Sequence, residues 1–266
     1  MMKHTGNESS TFSSVRNLTL PVLLIVLWQL WALTLPTGSP APTPIKVVQT
    51  LGELLSKGDL VSATVQSLGR VLTGFSVASM LGIVLGLMMG SSQAVRENLD
   101  PIIESFRPIA PMAILPIAIL LLGTGTPTAL AIVAYASFFP VVVNTVHGVS
   151  HVDRKLILAA RTMGISRLSI LTHVVLPGAL PSILLGTRLA MGVAWTAIIA
   201  AELAVGAKSG GGGSGGIGQM MFVFYAYNID LNAIVVCMTV VGLVALCIDQ
   251  IFRMLEKRLT PWRQEV

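Results

Sequence analysis

Three long stretches of this chain carry no Asp, Glu, Lys or Arg: Asn17–Ile45, Val71–Val95 and Pro108–Val152. Only 11% of its 266 residues are charged and 53% are hydrophobic, with mean hydropathy +0.80. A soluble domain carries about 25% charged residues. So few charges cannot coat a water-facing globule of this size, and lipid must solvate much of the surface. The formal charge of +5 therefore points to membrane-flanking loops rather than to nucleic acid.

A membrane-spanning helix needs about 20 apolar residues. The first run is Leu18–Leu35 and the second fills Val71–Val95. Pro108–Val152 is long enough for two helices, and GTGTPT (Gly123–Thr128) divides it near 109–122 and 128–147. A fifth run covers 180–206 and a sixth 231–251. The expectation is an all-α, polytopic membrane protein with about six transmembrane helices. Lys3 and Arg16 before the first run would suit a signal peptide, but Trp28, Trp31 and the lack of a small-x-small cleavage site favour an uncleaved first helix. The chain divides into an N-terminal segment 1–17, a transmembrane domain 18–252 and a tail 253–266.

The basic residues set the sidedness. Inner segments would hold Lys3, Arg16, Arg96, Arg107, Arg154, Lys155, Arg161, Arg167, Arg253, Lys257, Arg258 and Arg263. Outer segments would hold Lys46, Lys57, Arg70 and Lys208, and Arg188 lies inside a span. This asymmetry places both termini in the cytoplasm. Gly82, Gly86 and Gly90 recur four apart, on one face of the second span, and permit close helix contact. Cys237 and Cys247 lie about 15 Å apart along one helix, too far to bridge, and read as buried apolar fillers.

The inner loop 153–177 is basic and helical. Ala160, Gly164, Leu168, Leu171 and Val175 would form one face, and Thr162, Ser166, Ser169 and His173 another. Gly164 can break or bend this helix. Pro177 is expected to stop it, with Pro181 opening the next span. Physically, the segment could lie on anionic lipid through its arginines or project into the groove of a cytoplasmic partner.

Ala159-Ala160, three residues, Gly164, nine residues, then Val174-x-Leu176-Pro177 resembles the EAA loop of ABC-importer permeases. That pattern is E-A-A, three residues, G, nine residues, I-x-L-P. Leu158 replaces the Glu and Val174 the Ile, so one salt bridge to the ATPase is not carried over. Arg107-Pro108 with Pro111, Leu115 and Pro116, the stretch Leu176–Trp195, and Ala201-Glu202 resemble the taurine, sulfonate, nitrate and bicarbonate branch, and the tail Arg258–Trp262 is most similar to taurine permeases. The resemblance implies a type I ABC-importer fold in a bacterial plasma membrane. It also implies a homodimer, two ATP-binding subunits carrying ATP and Mg, and an outer substrate-binding protein. Ala159, Ala160, Arg161, Thr162, Gly164, Ser166, Arg167, Leu176 and Pro177 would then couple to the ATPase.

Candidates for the translocation pathway are Pro111, Pro116, Arg188, Trp195 and Glu202. Interior prolines free carbonyls that need protein or water in place of lipid, so the proline-rich third span either lines a path or is a kinked packing helix. Arg188 sits about 16 Å past Pro177, where an arginine costs at least about 2.5–3.5 kcal/mol to insert. It either guides an anion or pairs with backbone carbonyls or Glu202. A pair with Glu202 would have to form across a dimer, because within one helix the two are about 21 Å apart. His147 and His151 lie four apart with no third ligand nearby, so a helix-end polar pair is expected and no metal site.

Ser209–Gly216 reads SGGGGSGG. A P-loop needs Gly-Lys-Ser/Thr, and the chain has no Gly-Lys pair, so ATP chemistry would belong to another subunit and no cofactor is expected on this one. The run reads as a flexible outer connector, either an inert insertion or one that alters docking of the outer protein. No G-x-S-x-G or H-E-x-x-H motif supports an intramembrane enzyme. An ATP-independent channel or secondary transporter would usually place ionisable residues on several helices, and the sequence offers only Arg188 and Glu202 at depth.

Overall fold

The computed structural model describes residues 8–34, 36, 41–208 and 215–261, with side chains from Thr19 onward except Pro21. Most of the Gly/Ser run (209–214), the N-terminal Lys3 and the terminal Trp262 and Arg263 lie outside the described residues. The described chain is helical, without strands. α1 (Glu8–Leu33) and α2 (Pro44–Lys57) precede a long α3 (Asp59–Ser91). α4 (Gln93–Phe106), α5 (Pro111–Leu122) and α6 (Thr126–Ser150) follow. α7 (Arg154–Thr162), α8 (Arg167–Ile170) and a π turn (Leu171–Val175) lead into α9 (Leu176–Lys208). α10 (Ile217–Val223), a second π turn (Phe224–Asn228) and α11 (Leu231–Leu259) complete the described chain.

Four described helical stretches are long and apolar enough to cross a membrane: α3, α6, the unbroken Arg167–Lys208, and α11. α4 and α5 pass that test only together, bent by 91° at the break between them. α1 is the sixth candidate, with a described apolar segment Val22–Leu33. The expected third span, 109–122, is therefore too short in its helical part. Twelve residues of α5 reach about 18 Å, against a hydrocarbon core of about 30 Å. Pro108 lies in the break, and Pro111 opens α5 at a position whose amide needs no helical partner.

Packing shows that the bent pair must be a crossing. Cβ atoms added at Gly74, Gly82, Gly86 and Gly90 of α3 would meet Val133, Val141, Thr145 and Val149 of α6. The numbers rise together, so α3 and α6 run parallel. Two parallel spans need an odd number of crossings between them, and only α4–α5 is there to provide one. Gly148 abuts Ala179 and Ser182, and Gly186 abuts Pro140 and Asn144, so α6 and α9 are antiparallel. α6 is thus the central helix, gripped from both sides through glycines. Two of its buried hydroxyls, Ser137 and Thr145, donate to the carbonyls four residues back, so neither needs a partner across the interface.

α2 and α4 have no counterpart among the elements expected from the sequence. Both are amphipathic. Val47, Leu51 and Leu54 of α2 pack on Leu60, Ile217 and Val236; Val95, Leu99 and Ile103 of α4 pack on Met89, Val142 and Val146. Charges confined to one face break an apolar run without breaking a helix. α2 is capped at both ends: the Thr43 side chain accepts from the Lys46 amide, and Gly58 closes the helix at φ 78°. Of the two cysteines, Cys237 is buried as expected, but Cys247 is exposed on α11.

Gly86→Ala would place a Cβ 2.5 Å from Thr145 Cβ and 3.1 Å from the Val142 carbonyl oxygen, whereas Gly192 has nothing within 4 Å. Gly86→Ala is expected to destabilise by about 1–3 kcal/mol through overpacking, read as a lower thermal denaturation midpoint in detergent. Gly192→Ala is expected to be neutral or slightly stabilising. Equal effects at the two positions would contradict this packing.

Candidate functional site

The loop between α6 and α9 is built from local capping signals. Asp153 caps α7 by accepting from the Lys155 amide. At the other end of α7 the Gly164 amide donates to Arg161 O and the Ile165 amide to Ala160 O, with Gly164 at φ 73°. This is a Schellman closure, which needs a left-handed residue after the helix end. The spacing from Ala160 to Gly164 is the spacing of that closure. Ser166 then caps α8 by accepting from the Ser169 amide. The result is two short helices with a fixed corner.

The corner corrects the expected faces. A helical period cannot be carried through a left-handed residue, so residues after Gly164 are re-phased. Leu168 is 72% exposed, not packed, while Ala160, Ile170 and Val175 are buried with Val149, Val152 and Ala179. Ala159, Arg161, Thr162, Gly164, Ser166 and Arg167 are all exposed. Leu156, Leu158, Met163, Ile165 and Leu168 form an exposed apolar tip around this corner.

Pro177 does not end the helix, contrary to expectation. A proline ring collides with the carbonyl four residues back, here that of His173. The wider π turn lies at that place, closed by the Leu176 amide donating to Leu171 O. Leu176 is half-buried and Pro177 exposed. α8, the π turn and α9 therefore form one unbroken helical stretch, Arg167–Lys208, of 42 residues. Pro181 lies inside α9 and does not open a span.

Among the described residues, two clusters of ion pairs join α9 to neighbouring helices. In the first, Arg188 Nε donates to Asp249 Oδ1 at 2.7 Å, and its Nη1 lies 3.6 Å from Glu256 Oε2. Arg253 Nε holds the other oxygen of Asp249 at 2.9 Å. In the second, Glu202 is 2% and Arg70 7% exposed. Arg70 Nη1 donates to Glu202 Oε1 and to Gly215 O, each at 2.7 Å. Ser67 Oγ donates to Glu202 at 2.7 Å and accepts from the Ile217 amide at 2.9 Å. The Gly218 amide donates to Glu202 Oε2 at 3.0 Å. Arg188 and Glu202 thus each have partners of their own within this chain.

Sequence reasoning misses Asp249 and assigns Arg70 to an outer segment. The charge-free window begins one residue after Arg70, whereas α3 begins eleven residues before it. An unpaired arginine and carboxylate at depth is the available signal, since each demands an opposite charge. Trp195 is buried among Val71, Ala129 and Ile198, and its Nε1 donates to Val241 O, tying α9 to α11. Pro116 lies inside α5 with an exposed side chain and Pro111 is half-buried at its start. His147 and His151 stack at 4.0 Å. Among the described residues no three His, Cys, Asp or Glu group as a metal site.

The family described as binding-protein-dependent transport system inner membrane component matches residues 78–261. The chain is 34% identical over 272 residues to a putative ABC transporter permease protein of Methanocaldococcus jannaschii, covering 99% of each. It is 36% identical over 253 residues to the taurine transport system permease protein of Escherichia coli K12, covering 93% of this chain and 89% of that protein. The crystal structure of an amino acid ABC transporter with histidines shares the fold, with TM-score 0.62 at 14% identity over 78% of this chain and 97% of that one. A corner-bearing loop continuous with a span, in a chain of these relatives, has one reading: the protein belongs to the binding-protein-dependent transport system inner membrane component family and is a permease component of an ABC importer.

Proposed function

We propose that two copies of this chain form an alternating-access pathway for a small oxyanion, an organic sulfonate such as taurine before nitrate or bicarbonate. The identities to a taurine, a nitrate and a bicarbonate permease, 36%, 33% and 31%, support that order. Two cytoplasmic subunits carrying ATP and Mg grip the loop 153–177, and an exported or lipid-anchored binding protein delivers the solute. Both termini then face the cytoplasm, in keeping with the basic residues of the inner loops.

One observation carries the reading: the exposed corner at Gly164 directly precedes the 42-residue helical stretch that begins at Arg167. A partner that moves the corner moves the span. Ala159–Arg167, with Leu176 and Pro177 at the joint, make the contact and its lever. Arg188 already has two carboxylate partners on α11, so its role in this reading is to staple α9 to α11. Pro111 and Pro116 on α5 remain the pathway candidates with accessible side chains.

Leu168→Asp removes an apolar contact at a 72% exposed position. Thermal stability should be unchanged, while the co-purified ATPase and ATP-driven uptake into proteoliposomes fall about tenfold or more, as for loss of a hot-spot contact. Full uptake by Leu168→Asp, or uptake without any ATPase, would favour a self-sufficient channel instead. Gly164→Val meets no neighbour but forces a β-branched residue to φ 73°, at about 1–3 kcal/mol. ATPase co-purification should drop with the melting of the spans unaltered; normal assembly would contradict the rigid corner.

A further inference from the structure

At the start of α10, Gly216 offers no side chain to the first turn, and Gln219 of α10 reaches back to the Gly215 amide. The amides of that turn are capped from two other helices. Ile217 N–H donates to Ser67 of α3, and Gly218 N–H donates to Glu202 of α9. Arg70 of α3 holds both Glu202 and the Gly215 carbonyl. The α10 backbone also lies directly on α9, since a Cβ on Gly218 would sit 2.8 Å from Glu202 Cβ and 2.5 Å from Ile199 O. The three side chains, Ser67, Arg70 and Glu202, are buried, and the other groups are backbone, so each depends on the others for satisfaction. The first turn of α10 is therefore formed only while the outer ends of α3 and α9 keep this relation.

Glu202 lies on the same helical stretch as Arg167. Thirty-five residues separate them, about 52 Å of helix, from the outer end to the coupling corner. Beside the cluster a cavity of about 400 Å³ opens, lined by Asp59, Ser62, Gln66, Gly215 and Gln219 among others. A partner side chain on the outer side can reach the start of α10 there.

Resting on the importer reading above, we propose that Ser67, Arg70 and Glu202 are positioning residues forming an outer latch. The latch joins the start of α10 to α9, so that a loaded binding protein docked on the outer face acts on the stretch that ends at the ATPase. Its partner is a folded exported protein, engaged through α10 and the flanking cavity.

Ser67→Ala tests this in the full complex of permease, ATPase and binding protein, reconstituted in lipid nanodiscs. The substitution keeps the Arg70–Glu202 ion pair and removes the acceptor of the Ile217 amide. The latch predicts about tenfold faster backbone hydrogen exchange in the peptide spanning Ile217–Val223, as expected for a lost hydrogen bond to a buried group. It also predicts that stimulation of ATP hydrolysis by loaded binding protein falls about threefold or more, with hydrolysis in its absence unchanged. Faster exchange with full stimulation would reduce the cluster to plain packing and overturn the proposal. Unchanged exchange would overturn it too, because the cluster would then not hold α10. The wild-type complex is the reference: a failed importer reading shows there, as hydrolysis indifferent to the binding protein, whereas a failed latch shows only in Ser67→Ala.

Discussion

A proline has no amide hydrogen to give, and at Pro177 the chain absorbs that loss without breaking its helix. The π turn at Leu171–Val175 widens the backbone where the proline ring would strike the preceding turn. Had the helix stopped there, the loop between α6 and α9 would be hinged to the membrane bundle. Because it continues, the end of the loop and the span form one helical stretch, which is the lever of the proposed mechanism. Everything assigned to the Gly164 corner depends on that continuity.

The lever is held along its length by interactions suited to a medium without water. Trp195 and Arg188 bind it to α11, and Glu202 binds it to α3 and α10. Each polar cluster pairs opposite charges. Removing one member of a buried pair costs about 3–5 kcal/mol, far more than the pair itself contributes. The glycine seams complement these pairs. Between α3, α6 and α9 they bring backbones close where apolar burial gives no drive in lipid.

Much of this is legible in the residues. The charge-free windows locate α3 and α6, apolar runs locate α9 and α11, the GTGTPT turn separates α5 from α6, and Gly82, Gly86 and Gly90 mark α3 for close helix contact. The Ala160–Gly164 spacing marks the corner. Other features are hidden for physical reasons. α2 and α4 put charges on one face, so a count of charges sees loops. Arg70 and Asp249 are invisible as partners because pairing between distant helices leaves no local spacing. Leu168 reads as inward only when periodicity is carried through a left-handed glycine. Pro177 reads as a stop because propensity weighs a missing amide without weighing the turn that can absorb it.

Rigidity of the lever is the claim most open to direct measurement. Leu168 and Thr196 are both exposed and lie on the two sides of the π turn, 28 residues apart, or about 42 Å along a helix. Spin labels at these two positions, in the reconstituted complex, give their separation by pulsed dipolar spectroscopy with and without bound nucleotide. A rigid lever predicts the same separation in both states. A change approaching one helical turn, about 5.4 Å, would show that the π turn bends and that the loop and span do not move together.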